Sequence, residues 1–296
     1  MDGILNVLKP PGMTSFDVVS YLRGMLKIKK IGHAGTLDPG AAGVLPVCIG
    51  RATKSIEYLM DKDKSYRVEL TLGISTDTQD AEGQVVERHH VNLTEQQIVE
   101  GISHFTGKIK QVPPMYSAVR VKGKRLYELA RAGVTVEREA REVEIYSIRI
   151  LNIFDNNTKV LFDVMCSKGT YVRTLCADIG KKLGCGAHMS FLIRTKAGAF
   201  DICDALTLED INGLLAHGKL DAKLVKVEEL FKNLKKVELN DFSAKRFLNG
   251  MIVKLDCLDV KPCEILAVYN NSKEFFALGE VVLKQNQPML ILKKVF

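Results

Sequence analysis

The seven cysteines, at positions 48, 166, 176, 185, 203, 257 and 263, include no Cys-x-x-Cys pair, and no histidine cluster stands beside them. The short ligand spacings of structural zinc are missing, so no metal is expected. An odd, scattered set of this kind reads as reduced, mostly buried thiols rather than a disulfide framework. The opening residues Met1-Asp2-Gly3-Ile4-Leu5-Asn6 show no basic stretch followed by an apolar run, and no secretory signal is read. No segment reaches the ~18 uncharged apolar residues that a membrane span needs. The expectation is a cytoplasmic chain with no membrane partner. Internal repeats and low-complexity runs are absent as well.

What remains is a chain of 296 residues, 46% hydrophobic, comfortable for two domains and able to build a sizeable core. Lys plus Arg is 42 against 35 for Asp plus Glu, a formal charge of +7. That mild excess suits a polyanionic partner but does not demand one.

Thr14 or Ser15 is placed to cap a helix with Val18, Val19, Leu22 and Leu26 inward, and Gly32 lies past its end. A glycine-rich stretch leads into a buried strand, 44–49. Thr53 is read as the cap of a second helix running to about Met60. Residues 66–72 alternate with period two, as in a strand with one wet face. A strand at 84–88 and a helix from Thr94 to Phe105 follow. Residues 106–141 change character: Pro113-Pro114, the basic run Arg120-Val121-Lys122-Gly123-Lys124-Arg125, and a short helix ending at Gly133. Two long strands (142–154, 159–167) precede a helix expected to be capped by Thr170 and stopped by Gly184. Strand-like residues 188–194 and helical connectors at 207–232 follow. Beyond residue 233 a helix ending at Asn249-Gly250 and closely spaced strands at 251–255, 264–270, 276–283 and 288–295 mark a small second domain.

Asp38 lies in Gly32-His33-Ala34-Gly35-Thr36-Leu37-Asp38-Pro39-Gly40. Glycines let a backbone bend sharply or let a ligand approach closely, and such a loop can lift a carboxylate above a buried strand. Taken alone, the Asp reads more readily as a turn residue bonding its own loop. The Lys-Ser/Thr ending of a phosphate-binding loop is missing. Arg173, in the first turn of a helix, offers a planar fork that could hold a carboxylate; an exposed helical Arg is the plainer reading. Tyr66 is a core aromatic or a stacking platform. His33 is a lone histidine beside glycine, and the 120–125 run with Tyr116 and Tyr127 is a solvated face or a backbone-tracking hairpin.

Together the motifs are more specific than any one of them. Lys9-Pro10-Pro11-Gly12-Met13-Thr14-Ser15, the sixteen residues from Gly32 to Val47, Ser65-Tyr66, Thr76-Asp77-Thr78-Gln79-Asp80-Ala81-Glu82-Gly83, Cys166 to Leu175 and Gly186-Ala187-His188 resemble the bacterial tRNA pseudouridine-55 synthases, the TruB family. The likeness covers roughly residues 1–225, and the tail resembles the small RNA-binding PUA domain. The resemblance implies an α+β fold: a mixed, largely antiparallel central sheet flanked by helices, residues 1–232, with an RNA-binding insertion at about 106–141, then a PUA-like domain, 233–296. It implies Asp38 as nucleophile, Tyr66 packed on the target base, and Arg173 paired with the carboxylate. His33, Tyr171 and Leu192 are implied to shape the nucleotide pocket, and Asp80 and Lys9 are counted with them as substrate-binding. Lys122, Lys124 and Arg125 are the expected RNA-backbone contacts. The family often carries two arginines after the leucine; here Leu192 is followed by Ile193 and Arg194.

The implied reaction turns uridine 55 in the T stem-loop of tRNA into pseudouridine. It oxidises nothing and imports no group, so no cofactor is expected. The target base must leave its stack, which costs a few kcal/mol and calls for an aromatic or apolar pocket. A monomer with no obligatory protein partner is expected. Two other readings stand beside it: a relative that needs a guide RNA and partner proteins, and a non-enzymatic RNA-binding protein using the same basic surface.

Overall fold

The computed structural model describes every residue except 118, 122, 256–258 and 286, with the backbone alone at 120, 124, 125, 127 and 131. Its first strand, Gly3–Lys9 (β1), is buried on both faces and so carries no alternation to read in the sequence. Thr14 caps helix Ser15–Leu26 (α1) with a reciprocal bond to Asp17, and Val18, Val19 and Leu22 face inward. Short strand Ile31–His33 (β2) leads through residues 34–41 into Ala42–Ile49 (β3).

The helix expected from Thr53 is half right. Gly50–Ser55 is a 3-10 turn in which Thr53 donates its hydroxyl to the Gly50 carbonyl, and the α-helix begins at Ile56 (Ile56–Met60, α2). Strand Lys64–Leu72 (β4) alternates as expected. Ile74–Thr76 (β5) and Val85–Arg88 (β6) form a hairpin, and Thr94 caps Glu95–Ser103 (α3). Within the segment expected as an insertion, Gly107–Gln111 (β7) is an edge strand of the main sheet. Arg120–Val121 (β8) and Lys124–Arg125 (β9) pair as a two-stranded ribbon before Leu126–Arg131 (α4).

Arg141–Phe154 (β10) and Lys159–Cys166 (β11) run antiparallel into helix Val172–Lys182 (α5). Thr170 does not cap α5, because its hydroxyl donates to the Ser167 carbonyl; the cap position belongs to Tyr171, without a side-chain bond. Ala187–Ala197 (β12), Phe200–Asp201 (β13) and Leu208–Ala216 (α6) complete this half. The tail holds Lys236–Glu238 (β14), Asp241–Leu248 (α7), Val253–Lys254 (β15), Ile265–Tyr269 (β16), Phe275–Lys284 (β17) and Gln287–Val295 (β18).

The main sheet has the order β1-β3-β12-β4-β11-β10-β7, with β2 on β3 and β13 on β12. Its ladders are antiparallel except β12 on β3, the mixed, largely antiparallel sheet expected. Val68, Leu70, Phe162 and Val164 on one face meet Leu175, Ile179, Ile98 and Ile102 of α5 and α3. A second core lies between α1, α6 and the β1–β3 ladder. Each fully buried aliphatic or aromatic side chain there contributes roughly 1.5–3 kcal/mol. The tail is a five-stranded sheet, β14-β16-β17-β18-β15, closed by Ala244 and Phe247 of α7. It meets the first half through Tyr58, Phe231, Phe275 and Phe296, with ring centroids 5.1 Å apart for Tyr58–Phe231 and 5.5 Å for Phe231–Phe296. Among the described residues no helix is long and apolar enough to cross a membrane.

Candidate active site

Residues 34–41 cross from β2 to β3 over the middle of the sheet, and buried side chains grip their main chain from three sides. Ser15, at the start of α1, takes the Leu37 N–H on its hydroxyl oxygen at 2.9 Å and donates back to the Leu37 carbonyl at 3.2 Å. Lys9, at the end of β1, gives its three ammonium protons to the carbonyls of Pro10, Pro39 and Ala41. Arg194, from β12, reaches the carbonyls of Gly35, Thr36 and Val44. The loop therefore has its orphan carbonyls answered by buried cations, where water would otherwise serve. Asp38 is the residue this grip lifts clear.

The Asp38 carboxylate meets Arg173 of α5 in a fork: Nε to Oδ2 at 3.0 Å and Nη2 to Oδ1 at 3.3 Å. The Arg173 side chain is 8% exposed and the Asp38 side chain 38%, so the cation is sealed and the anion faces an opening. The rest of the guanidinium is occupied as well. Nη1 bonds Asp80 at 3.2 Å and the Thr78 carbonyl, and Nη2 donates to the Tyr116 carbonyl at 2.8 Å. Asp80 is held in turn by the Thr78 hydroxyl and the Glu82 N–H. Two carboxylates thus share one arginine. Burial raises the Asp38 pKa, Arg173 opposes that rise, and the Asp80 charge adds to it.

A narrow pocket opens in front of Asp38, lined by Gly40, Ala41, Asp80, Glu82, Phe191 and Leu192 among others. Tyr66 stands on β4, half-buried, directly across the ladder from Arg194. Burial pushes its phenol up to about 12, and the Asp38 charge contributes to that rise, so the hydroxyl stays protonated near neutral pH. His33 ends β2, and burial, then the Arg194 charge, lower its pKa toward the neutral ring. Tyr171 is fixed by its main chain: its N–H and carbonyl both bond the buried Gln111 side chain.

The structure brings Asp38, Asp80, Arg173, Tyr66 and Leu192 to one place. Of the other expected substrate-binding residues, His33 and Tyr171 do not line that pocket, and Lys9 is turned wholly inward. It is 0% exposed and spends its three donors on main-chain carbonyls, two of them in the loop, which leaves none for substrate. Lys122 lies outside the described residues, and Lys124 and Arg125 are placed by backbone alone, in β9. Sequence reasoning missed Ser15 as a loop holder, Gln111 and, above all, Arg194. The signal for Arg194 was its spacing: two residues past Leu192 on a strand, it shares the inward face. Among the described residues no group of three His, Cys, Asp or Glu side chains could hold a metal ion.

Residues 23–172 match the model of the TruB family pseudouridylate synthase N-terminal domain, and residues 173–239 that of the tRNA pseudouridylate synthase B C-terminal domain. A tRNA pseudouridine synthase B of Caldanaerobacter subterraneus subsp. tengcongensis is 49% identical over 280 residues, 94% of this chain and 95% of its own length. One of Alkaliphilus oremlandii is 51% identical over 250 residues, 84% of this chain and 82% of its own. Among solved structures, a chain of a Cbf5-Nop10-Gar1 complex superposes with a TM-score of 0.75 at 28% identity, over 99% of this chain and 84% of that one. A chain of an H/ACA RNP bound to a substrate RNA containing 2′-deoxyuridine gives 0.73 at 27% identity, over 99% of this chain and 84% of that one.

Proposed function

Because the chain belongs to the TruB family of pseudouridylate synthases, we propose that it converts uridine 55 in the T loop of tRNA to pseudouridine, with Asp38 as the reacting carboxylate. The observation that carries this reading is the forked Arg173–Asp38 pair at the mouth of a pocket, beside a tyrosine kept protonated. Residues 1–232 act as the catalytic domain, with the 106–141 segment closing on RNA, and residues 233–296 as a PUA-like RNA-binding domain.

The chemistry needs what these residues supply. The N1–C1′ bond breaks, the freed uracil turns, C5 bonds to C1′, C5 loses its proton and N1 gains one. An ionised carboxylate serves either as nucleophile toward the nucleoside or as base at the sugar. Arg173 favours the ionised form of Asp38 against the effect of burial and aims both oxygens. The base enters by flipping, and Tyr66 and Leu192 form the walls that receive it. Tyr66 acts as a proton donor, since its hydroxyl ionises only at about 12. His33, Tyr171 and Asp80 shape the nucleotide site. Most affinity comes from the RNA backbone and shape, with Lys122, Lys124 and Arg125 among the contacts. The chain acts as a monomer on tRNA alone.

The test is purified chain with unmodified tRNA and no added protein or guide RNA, followed by chemical mapping of pseudouridine. One modified site, uridine 55, is expected. Asp38→Asn should form none, while tRNA affinity stays within about threefold, because the backbone contacts survive. Turnover by Asp38→Asn removes the assigned role of Asp38. Activity that appears only with added partners or guide RNA assigns the chain to the guided type instead.

A further inference from the structure

Arg194 is the largest fully buried polar side chain described, at 1% exposure. Burial of its charge lowers its pKa, the direction that signals an uncomfortable cation. A guanidinium in such a place ordinarily faces a carboxylate. This one has none among the described ion pairs, and its partners are neutral. Nε donates to the Val44 carbonyl at 2.7 Å, Nη2 to Gly35 at 3.0 Å and Nη1 to Thr36 at 3.4 Å. Tyr66 stands directly across the ladder from it, close enough for the two groups to shift each other's pKa.

The main chain around it is cleared to allow this. Gly35 has φ +104°, and a Cβ there would sit 3.4 Å from Nη1. Gly43 has φ +112°, and a Cβ there would come within 2.2 Å of the Arg194 carbonyl oxygen. Two left-handed glycines thus let a loop and a strand approach one arginine. Arg194 does not line the pocket in front of Asp38. It reaches the loop two residues short of Asp38 on one side and faces Tyr66 across the ladder on the other.

We propose that Arg194 is a positioning residue for the isomerisation: its single rigid plane sets the Asp38 carboxylate and the Tyr66 phenol relative to each other without touching RNA. The proposal rests on the isomerase reading above. A planar fork is required for this, since a lysine supplies the charge as one point and cannot meet the carbonyls of Gly35, Thr36 and Val44 together in one plane beside Tyr66. Misplacement of a reacting group by about 1 Å costs on the order of 100-fold in rate. Arg194→Lys should therefore slow the chemical step and spare RNA binding.

The experiment uses full-length chain and tRNA carrying tritium at C5 of uridine, with single-turnover release, tRNA affinity and melting followed together. For Arg194→Lys the rate should fall about 30- to 100-fold, with affinity within about threefold and a cooperative melt retained. Tyr66→Phe should slow wild type clearly but cost less than about threefold in the Arg194→Lys background, because the phenol there is already misplaced relative to Asp38. A rate within about threefold of wild type, an affinity loss equal to the rate loss, or fully additive effects of the two changes would each overturn the proposal.

Should Arg194→Lys not fold, wild type supplies the answer by nuclear magnetic resonance. The Arg194 Nε–H signal should exchange slowly with water and keep its position when a T-arm hairpin binds. Rapid exchange, or a shift like that of an RNA-contacting group, defeats the idea. Wild type that releases no tritium refutes the isomerase reading itself; active wild type with a fast Arg194→Lys refutes only the role of Arg194.

Discussion

The loop at 34–41 and the segment at 112–139 both reach the Asp38–Arg173 pair but are secured in opposite ways. The loop is held at Gly35, Thr36, Leu37, Pro39 and Ala41 by three buried side chains from three different elements. Among the described residues, the segment's hydrogen bond to the Asp38–Arg173 pair is the Tyr116 carbonyl on Arg173 Nη2. Its hairpin, β8–β9, forms a two-stranded sheet of its own among the described residues. Chemistry tolerates little displacement, so the carboxylate is over-determined, whereas capture of a large RNA asks for a surface that meets the site at few points. Arg173 is where the two regimes join.

The largest effect should come from that joint. Arg173→Lys keeps the charge but not the fork, and a single ammonium cannot serve Asp38, Asp80, Thr78 and Tyr116 together. Single-turnover pseudouridine formation should drop on the order of 100-fold, with tRNA affinity within about threefold. A loss under tenfold would mean that orientation by the fork matters little.

Asp80→Asn sharpens the comparison from the electrostatic side. The Asp80 charge helps raise the Asp38 pKa, after burial and against Arg173. Removing it favours ionisation, so the acid limb of the single-turnover pH profile should move to lower pH. The plateau rate should fall about tenfold as Arg173 loses one of its anchors. A limb that stays in place or moves upward contradicts the assigned coupling.

Much of this was legible in the sequence, for reasons that differ by residue. The alternation of 66–72 and 159–166 survives because one face of the sheet is wet, with Arg67 and Asp163 paired outward at 2.8 Å. β1 left no such trace, being buried on both faces. Thr14 and Thr94 cap helices, whereas Thr53 and Thr170, equally plausible, donate to carbonyls three residues back. A hydroxyl can do either, and local sequence does not decide. The fold class followed from elements and resemblance together, and Asp38 and Arg173 entered as a pair through resemblance. Spacing from Leu192 gives the face of Arg194 but not its role, because its partners are backbone oxygens 150 to 159 residues away. Lys9 is counted with the expected substrate-binding residues, but its three donors lie inside the fold, on main-chain carbonyls that no local pattern reveals.

On the loosely joined side, Lys124→Ala with Arg125→Ala should leave the single-turnover rate at saturating tRNA within about twofold. Affinity should weaken about tenfold and the salt dependence flatten by roughly 1.4–1.8 in log–log slope, the release of two counterions. Unchanged affinity at both low and high salt removes these residues from the RNA surface.

The smallest effect separates the two halves of the chain. Phe275 and Phe296 of the tail stack against Phe231 and Tyr58, and Lys294 pairs with Glu57. This contact fixes where the tail sits but lies away from the residues around Asp38. Phe275→Ala with Phe296→Ala should loosen the tail's seat by a few kcal/mol, since each truncation leaves an unfilled ring site. On a T-arm hairpin, which the tail need not grasp, the single-turnover rate and affinity should stay within about twofold. On whole tRNA the affinity should weaken about three- to fivefold, because a loosely seated domain pays more ordering entropy on binding. An equal loss on hairpin and whole tRNA would show that the aromatic contact supports the Asp38 site itself, and the division at about residue 233 would then be structural only in appearance.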